Sequence, residues 1–416
     1  MAQSVETVLD RVPDGARFIS GSCCGTPTTL LAALAQRAAG RAWSLRSGLL
    51  LADDGGVLAA ADTGTLDVAT WHVSAPARGM VERGTLDYVP LRASHVERHI
   101  PAWGIDVALV RVTPPDRYGL CSLGPSVSYA RTAIRSARTC IAEVDPSLPR
   151  TCGESTVHAD ELDVIVESSI PAPTYAPPEP DATSVAIADH VVALLPDRPV
   201  LQLGIGAVPE ALVAALVAAR RGGLRFVGMG VDGMADLAEL GLLDDRRPAL
   251  SSPDLLGTER LMRFAHENPA VGVFPSTIAH SPPRLAAHER LVSLLSAVEI
   301  DLSGQVNSEV AAGRQIAGVG GSIDFVEAAG GSVDGVRIVA LPSTTRDGAR
   351  NRIVPALGPG AVVTVPRAMV DVVVTEHGVA RLEGASLRER AEALVGIAAP
   401  QHREQLEASL REPVAR

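Results

Sequence analysis

The chain has 416 residues, of which 46% are hydrophobic and 20% charged, and its formal net charge is −11. That balance describes a globular chain rather than a disordered one, and the length predicts two domains. The acidic balance argues against a nucleic-acid partner, because phosphate backbones require a basic footprint.

All 37 basic residues are arginine and none is lysine, which reads as base-composition bias but still excludes chemistry. Without lysine there is no Schiff base and no Walker-type phosphate lysine. A phosphate-bearing ligand must be held by arginine, backbone N–H groups and helix N-termini. No apolar run reaches membrane-spanning length, and MAQSVETVLDRVPDG lacks a signal layout, so a cytoplasmic protein with no membrane partner is expected. Cys23, Cys24, Cys121, Cys140 and Cys152 show no metal-ligand spacing, and their odd count argues against a disulfide framework.

In chain order, residues 13–34 give Pro-Asp, a short apolar run, a glycine loop, a proline and an apolar helix pattern. Strand-like runs follow at WHVSA (71–75), DVALVRV (106–112) and TCIAEV (139–144). PAPTYAPPEP at 171–180 resists helix and sheet and is the predicted linker, which sets domains at 1–180 and 181–416. Residues 196–216 then repeat the opening pattern of residues 13–34, with a one-residue gap in the loop, and predict a duplicated unit. Further strands are expected at RFVGMG (225–230), RIVAL (337–341), AVVTVP (361–366) and DVVVTE (371–376). Short runs apolar on both faces, separated by helical patterns, predict an α/β fold with mainly parallel sheets. Ser386 is expected to cap a helix through LRERAEALVGIA, with Glu389 completing a capping box and Pro400 ending it.

Gly204, Ile205, Gly206, Ala207 and Val208 follow a strand and open a helix. Such a loop lets backbone approach a ligand, and the helix N-terminus offers N–H groups to an anion or oxyanion. The third glycine of a dinucleotide fingerprint is absent. Gly318, Val319, Gly320 and Gly321 form a second glycine loop, read either as a turn or as a substrate lining because Asn307, Ser308, Glu309 and Ser343 to Thr345 are near in sequence. Cys23 and Cys24 precede a helix whose field would favour a thiolate, although a pair of buried small residues is the plainer reading.

The stretch from Gly304 to Arg390 runs GQVNSE, GVGGSIDF, ALPSTT, RIVP and VVTEHGVARLEG into LRERA. Together with DVALVRVTPPDRYGLCSL (106–123), EVDPSLPRTCG (143–153), LQLGIGAVP (201–209) and LGTERLMRFAHENP (256–269), it resembles the acetyl-CoA hydrolase/transferase family of the 4-hydroxybutyrate CoA-transferase type. The resemblance implies two CoA-transferase-type α/β domains with the active site between them. It also implies coenzyme A or acyl-CoA as substrate, no bound cofactor or metal, a small-molecule acceptor, and a homodimer or higher homo-oligomer. The two glycine loops would line the thioester region.

In that family one glutamate attacks the thioester and becomes a glutamyl-CoA thioester, in a segment resembling T-E-M-F-S-D-G. The equivalent stretch is VGMGVDG (227–233), so Gly228 takes the glutamate's place, or Val227 if the alignment shifts by one. The glutamine usual after the second glycine loop is Ser322. Three readings stay open: an acyl-CoA enzyme working by direct acyl transfer or thioester cleavage, a true CoA transferase with a relocated carboxylate, and a non-catalytic acyl-CoA-binding protein. Glu309 and Glu376 are the candidate carboxylates, each with a structural alternative. His377 stands where relatives often carry tyrosine and is a candidate base or ligand contact. Arg352 and Arg381 are candidates for the CoA phosphates.

Overall fold

The computed structural model describes residues 4–51 and 55–411. Two parallel sheets dominate. The first, in spatial order, is Val164–Glu167, Thr139–Val144, Val107–Val112, Arg17–Ser20, Ser44–Ser47, Asp67–Thr70 and Asp87–Tyr88, every pair parallel. The second is Val372–Thr375, Val336–Ala340, Leu291–Ser296, Val200–Leu203, Arg225–Gly228, Leu250–Ser252 and Val271–Val273, again all parallel. Numbered by appearance within its own half, each sheet reads seventh, sixth, fifth, first, second, third, fourth. That shared order is the signature of a duplicated fold, and it extends to the whole sheet the similarity of the two opening loops.

The second sheet adds one strand at each edge. Gly378–Arg381 pairs antiparallel with Val372–Thr375, and Cys152–Gly153, from the first half of the chain, pairs with Val271–Val273. Strands flanked by helices on both faces bury both faces, so their sequences are near-continuous apolar runs. All six residues of Val107–Val112 are buried, and each buried Val or Leu contributes about 1.5–3 kcal/mol. One apolar cluster includes Ile19, Val110 and Ala142 from the first sheet with Leu201, Leu250 and Ile338 from the second, so the two sheets share a core.

Three expected elements differ. The strand expected at 71–75 lies instead at Asp67–Thr70, because the Thr70 hydroxyl donates to Gly48 O (2.9 Å) and accepts the His72 N–H (3.1 Å), turning the chain out of the sheet. Residues 361–366 form no strand. Val362 and Val363 are exposed, and only Val365 pairs, with Val306. Pro400 does not merely end a helix. Leu387–Gly396 has the Ser386–Glu389 capping box, and Pro400 opens a second helix, Pro400–Arg411, where its missing N–H costs nothing. Residues 171–180 carry no regular structure and are pinned by the Tyr175 N–H on Gly257 O (3.0 Å). No helix among the described residues is long and apolar enough to cross a membrane.

Candidate active site

In an open α/β sheet the crevice forms beyond the carboxyl ends of the strands, where the strand order reverses. Both sheets reverse between their first and fifth strands, and their carboxyl ends open on one cavity of about 350 Å³. Its walls include residues that end or follow six of these strands: Ser22 and Cys23, Leu49, Trp71 and His72 from the first half, and Gly204, Ile205, Gly228, Met229 and Asp254 from the second. Gly318, Val319, Gly320 and Gly321 line it as well, so both glycine loops meet there. Gly206, Ala207 and Val208 lie just behind, at the start of the helix Ala207–Ala218.

Three segments of the first half clasp the second glycine loop. Tyr88 Oη accepts the Val319 N–H (3.2 Å), the Ala93 N–H donates to Gly320 O (2.8 Å), and Trp71 packs on Gly318. A Cβ on Gly321 would fall 2.3 Å from His280 Cε1, so only glycine lets the loop pass this imidazole. The loop opens the helix Ser322–Gly331, whose Asp324 is fully buried and accepts Arg92 Nε (2.8 Å), the Ser94 N–H (3.0 Å) and Ser94 Oγ (2.6 Å).

Asp254 is the one carboxylate in the cavity wall among the described residues. It follows Leu250–Ser252, with its N–H on Ser252 Oγ (3.2 Å) and its C=O accepting the Gly230 N–H (3.2 Å). Burial pushes its carboxyl up to about 6, against donation from Ser126, Ser128 and the Cys23 thiol. The same burial, with the charge of Asp254 nearby, pushes the Cys23 thiol up, and burial pushes Cys24 to about 11. A thiolate at the helix start is therefore disfavoured: desolvation outweighs the helix field. His72 and His280 face the cavity, and burial brings both down to about 4, so both are neutral at pH 7. His280 Nδ1 has no hydrogen-bond partner and lies 3.8 Å from Asp324 Oδ2.

The carboxylates singled out in the sequence sit outside the wall. Glu309 is buried and accepts Tyr88 Oη (2.9 Å) and Thr364 Oγ1 (2.9 Å), and the same Tyr88 Oη accepts the Val319 N–H of the glycine loop. Glu376 accepts the N–H (2.9 Å) and Oγ (2.6 Å) of Ser343, and His377 Nε2 is 3.6 Å from it. Arg352 and Arg381 do not line the cavity either.

Gly228 forms the wall at the end of its strand with φ +91°. A Cβ there would meet Leu203 O at 2.9 Å, Gln202 Cγ at 3.4 Å and Phe325 Cζ at 3.4 Å. Gly228→Glu is therefore expected to cost about 1–3 kcal/mol, seen as a lower urea midpoint at unchanged slope.

Residues 2–173 match the acetyl-CoA hydrolase/transferase N-terminal domain, and residues 257–410 match its C-terminal domain. The 4-hydroxybutyrate coenzyme A transferase of Clostridium kluyveri is 40% identical over 339 residues, 79% of this chain and 78% of that protein. The chain belongs to the acetyl-CoA hydrolase/transferase family. Another relative, the succinyl-CoA:cyclohexane-1-carboxylate CoA transferase of Geobacter metallireducens, is 34% identical over 83% of this chain and 80% of its own. The crystal structure of RipA from Yersinia pestis superposes with a TM-score of 0.91 at 28% identity, covering 99% of this chain and 97% of RipA. The family's fold, two α/β units of mainly parallel sheet, is thus the fold of this chain. Between the two matched domains lie residues 174–256, which hold Gly204, Gly228 and Asp254.

Asp254, His72 and His280, which line the cavity, and Asp324, which holds Arg92 and Ser94 beside it, were not legible as site residues in the sequence. Asp254 follows a strand of only three residues, Leu-Ser-Ser, too short to register as an apolar run. The two histidines come from opposite halves of the chain, so no spacing links them.

Proposed function

We propose that the protein processes acyl-CoA thioesters by direct attack of an acceptor or water on the thioester carbonyl, without a glutamyl-CoA intermediate. Gly228 carries this reading. Where the family resemblance calls for a nucleophilic carboxylate, the cavity wall has a left-handed backbone and a main-chain oxygen 2.9 Å from any Cβ. The names of its relatives, CoA transferases for the most part and acetyl-CoA hydrolase for others, support acyl-CoA as the substrate. Among the described residues no arginine lines the cavity, so an acceptor carboxylate would find no cation there. Leu49, Trp71, Leu203, Leu294 and Phe325 suit an apolar acyl chain.

In this mechanism the thioester oxygen faces the backbone N–H groups of the glycine loops and the start of helix Ala207–Ala218, which stabilise the oxyanion. Asp254, ionised above pH 6, accepts the proton of the attacking O–H or N–H. The new bond to the carbonyl carbon forms, the C–S bond breaks, and the departing thiolate of CoA takes the proton back. Backbone donors of this kind are worth about 10²–10³ in rate, so a site without the glutamate can still work.

Asp254 also favours a second reading, in which its carboxylate attacks and carries CoA as the relocated nucleophile. Intact mass and peptide mapping after mixing with a medium-chain acyl-CoA, with and without borohydride, separates the two: a carboxylate that carries CoA adds the mass of CoA before reduction and becomes an alcohol after it. Direct attack predicts release of free CoA to water, or to an added amine or alcohol, with neither CoA mass on the protein before reduction nor a side-chain alcohol after it. A peptide containing Asp254, Glu309 or Glu376 that bears CoA in the unreduced sample, or the corresponding alcohol in the reduced one, would overturn it. No CoA release across water, amines and alcohols would leave an acyl-CoA-binding protein instead.

A further inference from the structure

At the other end of the second sheet, where Val200–Leu203 and Arg225–Gly228 begin, lies a polar hollow of about 240 Å³. Arg198, Arg225, Arg246, Arg290, His288 and Glu289 line it. Arg198 and Arg290 each precede a strand and have φ +50° and +58°, a conformation that costs a non-glycine residue energy and collects at functional positions.

The charges do not balance. Buried Asp244 serves two of the four guanidiniums, Arg198 Nη2 at 2.7 Å and Arg246 Nε at 3.0 Å. Glu289 lies 3.8 Å from Arg290. Arg225 reaches only His288 Nδ1, at 3.4 Å, among the described residues. The Nε atoms of Arg225 and Arg290 are buried without a hydrogen-bond partner. Guanidinium cannot shed its proton to escape, and a buried unpaired donor is costly, so the arrangement calls for an anion. Arg221, at the same end, is by contrast satisfied by the carbonyls of Val192, Leu195 and Pro196.

We infer that this hollow binds a phosphate group. Arginine is the only permanently charged cationic side chain in this sequence, which has no lysine, and its planar fork matches phosphate oxygens. The volume lies below the range of pockets that enclose drug-sized ligands, which suits a phosphoryl group and excludes a whole acyl-CoA. The site stands at one end of the strand whose other end, Gly228, is a wall of the cavity.

Calorimetry on the full chain, at constant ionic strength in chloride, tests it with inorganic phosphate, pyrophosphate and adenosine 3′,5′-bisphosphate. Saturable one-site binding is expected, weakened at least tenfold by Arg225→Gln and also by Arg246→Gln, whose more exposed side chain makes folding failure a poor explanation. Binding of all three probes would identify free phosphate as sufficient, and binding of the nucleoside bisphosphate alone would identify a nucleotide source. No saturable heat with any probe, or unchanged affinity in both variants, would overturn the site. Asp254→Asn should leave this binding as it is, which separates the result from the fate of the cavity.

Discussion

Replacing Asp254 by asparagine is expected to lower kcat/KM for thioester turnover by about 10²–10⁴-fold, the span of a lost general base, while leaving the fold no less stable at neutral pH. Asparagine keeps the size of the side chain and an acceptor oxygen for Ser126 and Ser128, so a merely bracing role would survive the change. The pH dependence gives an independent readout. Burial raises the carboxyl from 3.8 to about 6, so the base is ionised only above that value and kcat/KM should fall on the acid side of about pH 6. The stability effect has the opposite slope. Between about pH 4 and 6 the folded state holds a proton that the unfolded chain has released, so this residue's contribution declines as pH rises through that window. Asp254→Asn removes that decline, and its unfolding midpoint should gain on the parent between pH 4 and 7. Full activity in the variant, or an acid limb that persists in it, would remove Asp254 from the chemistry.

The parallel sheets were legible because strands covered on both faces are nearly continuous apolar runs, and Thr139–Val144 and Val107–Val112 read that way apart from Glu143 and Arg111, which pair with each other. The duplicated opening loops were legible for a similar reason: a strand that ends in glycine and proline before an apolar helix leaves few alternatives. What stayed hidden depends on partners remote in sequence. Glu309 sits in a loop of functional texture, yet its carboxylate goes to Tyr88, and nothing local distinguishes that from catalysis. Asp254 looks like a turn residue after Ser-Ser-Pro until Ser126, Ser128 and Cys23 of the other half converge on it. The run Trp71 to Ala75 has strand composition, but one threonine hydroxyl turns it aside and so delivers Trp71 and His72 to the cavity. Composition reports which face is buried; the site is built by the chain leaving its strands, which composition does not record.

The largest stability effect is expected at Arg111, far from any solvent. Its fully buried guanidinium bonds Glu143, Ser168 Oγ (3.1 Å) and Ile170 O (2.5 Å), with Asp145 at 3.3 Å. Glu143 in turn accepts the N–H groups of Thr29 (3.0 Å) and Leu30 (3.2 Å), so a carboxylate from a neighbouring strand caps the helix Thr28–Arg37 and meets its positive end. One cation thus holds two carboxylates, a helix start and the chain entering the proline-rich stretch. Arg111→Met fills a similar volume but leaves both buried carboxylates without their counter-ion, and should cost about 3–5 kcal/mol in urea unfolding. Arg111→Met combined with Glu143→Gln removes one orphaned charge, so the double variant should lose less than the sum of the singles, with a coupling of about 0.5–3 kcal/mol. A single-variant cost below about 1 kcal/mol, or strict additivity, would mean that water reaches the network and the carboxylates do not depend on Arg111. Because the capped helix follows the Cys23 loop, loss of the cap should also loosen one wall of the cavity, so the surviving folded fraction of Arg111→Met should turn over acyl-CoA more slowly than the parent.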